Sequence, residues 1–153
     1  MPAQATPKDA ELIMQLYDLR REPEMRKARN WWLTQFWPES ADDFLKVAMS
    51  MGSQENNWLR QAGSYWSMAA SFVQSGALNG DLFLQPSCSG EMYFILAKVH
   101  PYLGEIRQKL DEPEMFGNIE KVINSTEFGR NRLQQTLKRV AMIKERRAAT
   151  KVN

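Results

Sequence analysis

The sequence predicts an all-α, single-domain bundle of six to eight helices packed around a central helix at about residues 54–75. Three observations lead to this prediction. Apolar residues recur at spacings of three and four in every periodic segment, which is the period of a helix face. No segment shows the strict alternation of apolar and polar residues that marks a half-buried strand. Outside residues 76–90, the connections between periodic segments are short, as they are between neighbouring helices of a bundle.

The composition is that of a folded domain in a reducing compartment. A chain of 153 residues, 43% hydrophobic and 25% charged, suits one globular domain and not a disordered segment. Cys88 is the one cysteine, so an intrachain disulfide is excluded. Residues 1–10 lack the basic start and apolar run of a signal peptide. No stretch approaches the ~18 apolar residues of a membrane span. We therefore expect a cytoplasmic protein without a membrane span.

The first two helices are separated by a proline. Thr6 is suited to cap a helix that runs to about Arg21. Pro23 restarts the chain, because the residue before a proline avoids the helical conformation. A second helix is expected over about 24–36, and Pro38 ends it.

The third helix is predicted to end just before the central helix begins. The segment from Ser40 to Asp43 resembles a capping box with Asp in place of Glu. Gly52 and Ser53 are expected to end this helix and to cap the next one. The apolar phase nevertheless continues across them, so a single kinked helix over 41–75 is an alternative.

The stretch from Trp58 to Ser75 shows the strongest helical periodicity in the chain. Its large apolar residues fill an arc of about 140° at ~100° per residue. The neighbouring stripe contains only small residues, which are Gly63, Ser67, Ala70 and Ser71. Small side chains allow another helix to approach closely. We therefore expect this helix to contact other helices on both stripes and to lie at the centre of the bundle.

Residues 76–90 are predicted to be mostly loop. The segment 81–85 suits either one helical turn or an extended segment. Ser87 or Ser89 is expected to cap the next helix, which is apolar nearly all round and is therefore expected to be buried. His100, which is followed by a proline, ends that helix.

Three further helices are expected in the C-terminal third. They are predicted over about 102–110, from Met115 to Ile123, and from Ser125 onward. The apolar seam of the last helix fades after Ala141. We expect residues 142–153 to form a frayed basic tail.

Three segments between Ala62 and Arg107 read AGSYWSMAASFVQSGAL, GEMYF and KVHPYLGEIR. They resemble a family of small, uncharacterised bacterial all-helical proteins, and the resemblance covers about a third of the chain. It implies a bacterial, all-α protein of unknown function. It carries over no activity and no catalytic residues.

The net charge of +2 hides an uneven distribution. Residues 130–153 contain eight basic residues and one acidic residue, a balance of +7, whereas the preceding residues contain twelve basic and seventeen acidic residues, a balance of −5. Phosphate groups bound by such a basic tail would be released by salt. The charges do not share one face of the helix, so a solvated helix end is the simpler interpretation. The candidate basic surface consists of Lys138, Arg139, Lys144, Arg146 and Arg147.

The residues that carry most enzyme chemistry are scarce. His100 is the only histidine, and it suits the C-terminal end of a helix. One histidine and one cysteine do not make a zinc site of the usual kind. Cys88 is a candidate nucleophile near a helix N-terminus, but an ordinary loop cysteine is the simpler interpretation. The motifs of phosphate loops, dinucleotide-binding turns and nucleophile elbows are missing. We predict no catalytic residue, no metal site and no cofactor, and favour a non-enzymatic protein.

A tryptophan cluster is the first candidate site. Trp31, Trp32 and Trp37 lie within seven residues, and three indoles cannot all face one core from one regular helix. Core packing accounts for some of them. An exposed remainder would be a candidate for binding a ligand or a partner protein.

Two glutamates are the second candidate. Glu55 and Glu91 each lie near the start of a strongly apolar helix, and Glu55 projects onto the apolar arc. An acidic residue in the first turn simply stabilises the helix dipole. The alternative is a buried or half-buried polar site in which one of the two pairs with Arg60 or Arg107.

The leading functional prediction is a non-enzymatic helical protein-interaction module. Its partner would be a second copy, forming a homodimer, or another protein. One alternative is binding of nucleic acid or an anionic surface through the basic C-terminal helix, with nucleic acid not favoured. Another is a small-molecule binder or enzyme with a pocket near Trp32, Glu55 and Glu91.

Overall fold

The computed structural model describes residues 3–152, and every regular element in that range is helical. Eight helices of eight or more residues and one single-turn helix make up this part of the chain, which confirms the predicted all-α bundle. A π-helical segment (Trp31–Gln35) follows α2, and a 3₁₀ segment (His100–Tyr102) follows α6. The helices are α1 (Pro7–Leu19), α2 (Pro23–Asn30), α3 (Ala41–Ala48), α4 (Gln54–Gln74), α5 (Gly80–Phe83), α6 (Pro86–Val99), α7 (Leu103–Leu110), α8 (Gly117–Asn124) and α9 (Glu127–Val152).

The predicted caps form at the helix starts. The Thr6 hydroxyl accepts a hydrogen bond from the amide of Asp9, and the Asp9 carboxylate accepts one from the amide of Thr6 at 2.8 Å. The Ser40 hydroxyl accepts from the amide of Asp43 at 3.2 Å. Each bond satisfies an amide that the first turn of a helix leaves without a partner.

A break at Gly52 separates α3 from α4, which confirms two helices in place of one kinked helix. Gly52 has a φ of 87°, which residues other than glycine rarely adopt. Ser53 then caps α4. The buried side chain of Asn56 joins the two helices across the break. Its amide group donates to the carbonyl groups of Val47 and Ala48, at 3.0 Å in each case.

The long helix α4 lies between α2 and α8, as expected of a central helix. The apolar arc of α4 faces the core, where Leu59, Ala62 and Trp66 are buried. On the small face, a Cβ atom at Gly63 would come within 3.7 Å of the Phe116 ring. The ring of Phe116, which lies just before α8, therefore packs on the small stripe of α4.

The second helix changes form where the sequence predicts that it continues over 24–36. The regular helix ends at Asn30, and the amide of Phe36 then donates to the carbonyl of Trp31 at 2.9 Å, a π-type bond. The wider turn gives each residue less rotation about the axis than an α-helix does. Trp31 and Trp32 can therefore both point inward, where they are 5% and 0% exposed.

The region 80–90 is more helical than predicted. The single turn of α5 is one of the two forms expected, and α6 begins at Pro86. Ser89 interrupts α6 with φ −138° and ψ 22°, and its hydroxyl donates to the carbonyl of Phe83 at 2.6 Å. The prediction that Ser87 or Ser89 caps α6 is therefore wrong, because the proline opens the helix earlier and the Ser89 hydroxyl is engaged elsewhere.

The C-terminal helices also differ from the prediction at one point. Phe116 has a left-handed φ of 58°, so α8 begins after it and not at Met115. The last helix continues to Val152, and fraying of residues 142–153 stays a prediction. Lys144 and Arg147 support this part of α9, because each cation lies 5.0 Å from the centroid of an aromatic ring on the body of the protein. Within residues 3–152, no helix has the length and apolar character needed to cross a membrane.

Candidate functional site

An open groove with a volume of 1040 Å³ crosses the surface of α4. The α4 residues that line it extend from Asn56 to Ser67, roughly 16 Å of helix at ~1.5 Å per residue. The start of α2 contributes one wall. The segment 110–116, which joins α7 to α8, contributes the other.

The floor of the groove combines small residues with apolar ones. Gly63, Ser64 and Ser67 belong to it, and the first and last of these are part of the small stripe that the sequence predicts. Leu59 and the ring of Phe116 supply apolar surface. The Phe116 ring covers Gly63, so a bound segment can come close to α4 at the short side chains of Ser64 and Ser67.

The first wall carries two glutamates that are held at the start of α2. The Glu22 carboxylate caps α2 by accepting a hydrogen bond from the amide of Met25 at 2.8 Å. Glu24 pairs with Lys27 one turn later, also at 2.8 Å. Both carboxylates are thereby tied to a regular helix.

The second wall is held by Arg107. Its Nε and Nη2 donate to the carbonyl of Met115 at 3.0 and 2.8 Å, and its Nη1 donates to Glu120 at 3.2 Å. Glu112 and Glu114 lie on the loop that this fork holds in place. A hydrogen bond from Lys121 at 2.8 Å lowers the pKa of Glu114 from its ordinary value, so its carboxylate is charged at neutral pH.

The charged residues of the groove lining are predominantly acidic. Four glutamates line it against one cationic residue, Arg60. Lys27 and Lys121 offset two of these carboxylates from outside the lining. Both of these ion pairs are exposed, and water screens such pairs so that they contribute little to stability. A cation on a bound partner can therefore replace either lysine at small cost.

A second depression of 520 Å³ continues from the groove towards α1. The two share Glu22, Gln61 and Ser64. Leu19 and Met68 line the second depression and are 54% and 42% exposed. The acidic groove is thus bordered by apolar surface that water still reaches.

The tryptophan cluster divides between the core and the surface. Trp31 stacks on Phe36 with centroids 4.5 Å apart, and the two rings lie in the core with that of Trp32. Trp37 is half-buried and packs edge-on against Phe94 at 5.8 Å. The three tryptophans therefore do not form one site, because Trp31 and Trp32 lie in the core and Trp37 is half-buried.

Lys98 is a buried charged group that sequence reasoning missed. It is fully buried in α6, and its amine donates to the carbonyl groups of Trp32 and Phe36, the latter at 2.7 Å. Burial, together with the nearby charges of Arg147 and Lys144, lowers the pKa of Lys98 to about 7. The available signal was a lysine at the end of the apolar run from Met92 to Val99, where it is the only charged residue.

Glu91 forms the half-buried polar site that the sequence suggests, but with a different arginine. Its carboxylate accepts from Nε of Arg29 at 2.7 Å and from the indole of Trp66 at 3.0 Å. The predicted partners lie elsewhere, since Arg107 pairs with Glu120 and Arg60 lines the groove.

Glu55 does not lie on the buried face of α4. It is exposed in the first turn, where it complements the helix dipole. The inward positions are Asn56 and Leu59, so Glu55 faces away from the core. The groove described above is lined by neither Glu55 nor Glu91, and Trp32 is also absent from its lining.

The five candidate basic residues of α9 fall into two groups. Lys138, Arg139 and Arg146 are exposed. Lys144 and Arg147 are half-buried against aromatic rings and support the helix. Binding of nucleic acid or an anionic surface by this helix remains a prediction.

Within residues 3–152, His, Cys, Asp and Glu do not gather in a group of three that could hold a metal ion.

The fold and the groove thus define a class of protein, an all-α bundle with an acidic groove across its central helix. The chain belongs to the family described as a domain of unknown function, DUF4760, which matches residues 5–126. This range includes the whole lining of the groove and ends just before α9. No curated protein and no solved structure matches the chain.

Proposed function

We propose that this protein is a non-enzymatic interaction module whose groove across α4 binds a helical segment of a protein. The observation that carries the proposal is the groove itself, with its floor of short side chains between two acidic walls. We further propose a bacterial, cytoplasmic setting. The resemblance of residues 62–107 and the single cysteine support that setting.

The dimensions of the groove suit a helical segment. Its volume of 1040 Å³ lies just above the ~300–1,000 Å³ typical of small-molecule pockets, and it is open to solvent. Short side chains at Ser64 and Ser67 allow a helix backbone to approach this part of α4 closely. The exposed apolar groups of Leu19 and Met68 extend the contact surface beyond the groove. Binding of a helix in a groove is a common form of protein recognition.

The walls are held before any partner binds. Arg107 ties the Met115 carbonyl to α7, and Glu22 is fixed by its capping bond to Met25. A surface that is already ordered loses little conformational entropy on binding. This favours a binding role for the groove.

Photo-cross-linking tests the proposal directly. A benzophenone amino acid placed at the exposed groove residue Ser64 should give a discrete adduct with a protein in living cells. The same group at Gln135, an exposed residue of α9 outside the groove, is the matched control and should not give that adduct. Ser67→Trp, which fills the floor, should remove the Ser64 adduct while circular dichroism shows an unchanged helical content. An adduct that survives Ser67→Trp, or no adduct at Ser64, would overturn the proposal.

A further inference from the structure

We propose that the occupant of the groove is the C-terminal end of α9, residues 146–152, from a second copy of this chain. The inference rests on the proposed function of the groove and names its partner. It draws on three features of the chain: a projecting helix end, the distribution of its side chains, and the opposite charge of the groove.

The end of α9 projects from the body of the protein. Val140 is the last residue of α9 that is buried. Arg147 is the last residue held against an aromatic ring, that of Trp37. From Ala148 onward every described residue is exposed, and Val152 is 86% exposed. More than one turn of helix is therefore available for contact with another molecule.

The projecting end has a small apolar face between two cations. At ~100° per residue, Ala148, Ala149 and Val152 lie within an arc of about 100°. Arg146 lies on one side of this face and Lys151 on the other. A helix with such short apolar side chains can approach the floor of the groove closely.

The groove offers the complementary arrangement. Ser64 and Ser67 on its floor match the small residues of the helix end. Glutamates stand on both walls, so a helix lying on the floor brings one cation towards each wall. The overall charge balance acts in the same direction, with +7 over residues 130–153 and −5 over the rest.

Each chain carries one groove and one helix end. A reciprocal exchange between two copies therefore makes a symmetric dimer, whereas a one-way contact makes a chain of molecules. The dimer and the chain of molecules use the same contact between the groove and the end of α9. The attraction between exposed charges is screened by salt, so either assembly weakens as ionic strength rises.

Charge reversal of the full-length protein tests the contact. One variant carries Arg146→Glu and Lys151→Glu, and a second carries Glu24→Lys and Glu112→Lys, one change on each wall. The control variant, Lys138→Glu with Arg139→Glu, makes the same charge change at exposed positions of α9 before the projecting end. Mass is measured by light scattering at ionic strengths of about 0.02 M and about 0.5 M.

The unmodified protein and the control should associate at low ionic strength and dissociate at high ionic strength. Each reversed variant alone should associate at least about tenfold more weakly, because like charges then face each other across the contact. Mixing the two reversed variants should restore association, since each supplies the charge that the other lacks. Association that survives either reversal, or a mixture that stays monomeric, would overturn the inference.

The result is distinguishable from a failure of the proposed function. If the protein is monomeric at low ionic strength and the Ser64 cross-link joins a different protein, the second copy is the wrong occupant while the groove remains a binding site. If Ser64 gives no adduct and no association occurs, both proposals fail. A Ser64 adduct that maps to residues 146–152 of another copy supports both.

Discussion

The amine of Lys98 lies 3.7 Å from the centroid of the Trp37 ring, on the inner side of that half-buried indole. It also donates a hydrogen bond to the Phe36 carbonyl at 2.7 Å. Lys98 thus binds a carbonyl group of the π-helical segment and that of the residue after this segment. It also contacts the aromatic ring of the next residue, Trp37. Arg147 of α9 lies 5.0 Å from the centroid of the same ring. Three parts of the chain therefore meet at Trp37.

The burial of Lys98 should make stability depend on pH. Its pKa is about 7 in the folded protein against 10.5 for an ordinary lysine, so the unfolded chain binds more protons between these values. Stability should therefore rise with pH across this window, by up to about 1.4 kcal/mol per pH unit, and this contribution should be flat below pH 7. Urea unfolding of the wild type and of Lys98→Met, measured from pH 6 to 9.5, checks this expectation. An equal slope in the two proteins would contradict it.

The upper limit of that pH range follows from two buried tyrosines. Burial raises the pKa of Tyr65 and of Tyr93 to about 12 from 10.0. Above pH 10 the unfolded chain loses these protons before the folded protein does, so this contribution to stability falls as pH rises. Measurements below that value isolate the effect of Lys98.

Replacing Glu91 with glutamine should destabilise the fold. The Glu91 side chain is 5% exposed and binds Arg29 and Trp66, so the change removes a buried charge and leaves Arg29 without its partner. We expect a loss of about 1–3 kcal/mol. Glu55→Gln is the matched control, because Glu55 is exposed in a first turn, and it should cost less than about 1 kcal/mol. Chemical denaturation of both variants measures the difference, and similar losses would argue against a structural role for Glu91.

Two glycine substitutions should have opposite effects. Gly52→Ala places a side chain at a φ of 87°, where strain and not contact is the cost, and should destabilise by roughly 1–2 kcal/mol. Gly104→Ala lies in α7 with open space around the new Cβ atom, and should stabilise by about 0.5–1 kcal/mol through higher helix propensity. Thermal unfolding distinguishes the two. A stabilising Gly52→Ala would mean that the break between α3 and α4 tolerates an ordinary residue.

The local elements of this fold could be predicted from the sequence. The caps at Thr6 and Ser40, and the break at Gly52, each depend on residues within about four positions. The small stripe of α4 was also predictable, because helical periodicity places its members on one face. These features follow from backbone geometry and side-chain size, which act over a single turn or two.

The candidate site could be predicted only in part. The floor residues Gly63 and Ser67 stand out in the sequence, but the walls come from residues near 22 and near 112. Glu91 was identified as a polar site, whereas its partner Arg29 is 62 residues away and could not be chosen over other arginines. The π-type turn that buries both Trp31 and Trp32 has no signature in the local spacing.

By itself, the sequence determined an all-α bundle built around α4. It also determined the uneven charge distribution, with an acidic balance before residue 130 and a basic balance from that residue on. Tertiary structure decided where Lys98 is buried, which arginine Glu91 binds, and that α2 and the 110–116 segment enclose a groove. The physical reason is distance along the chain. Helix periods and caps depend on residues close together in the sequence. Ion pairs and grooves depend instead on how separate helices pack, because many arginines and many helix faces satisfy the same local pattern.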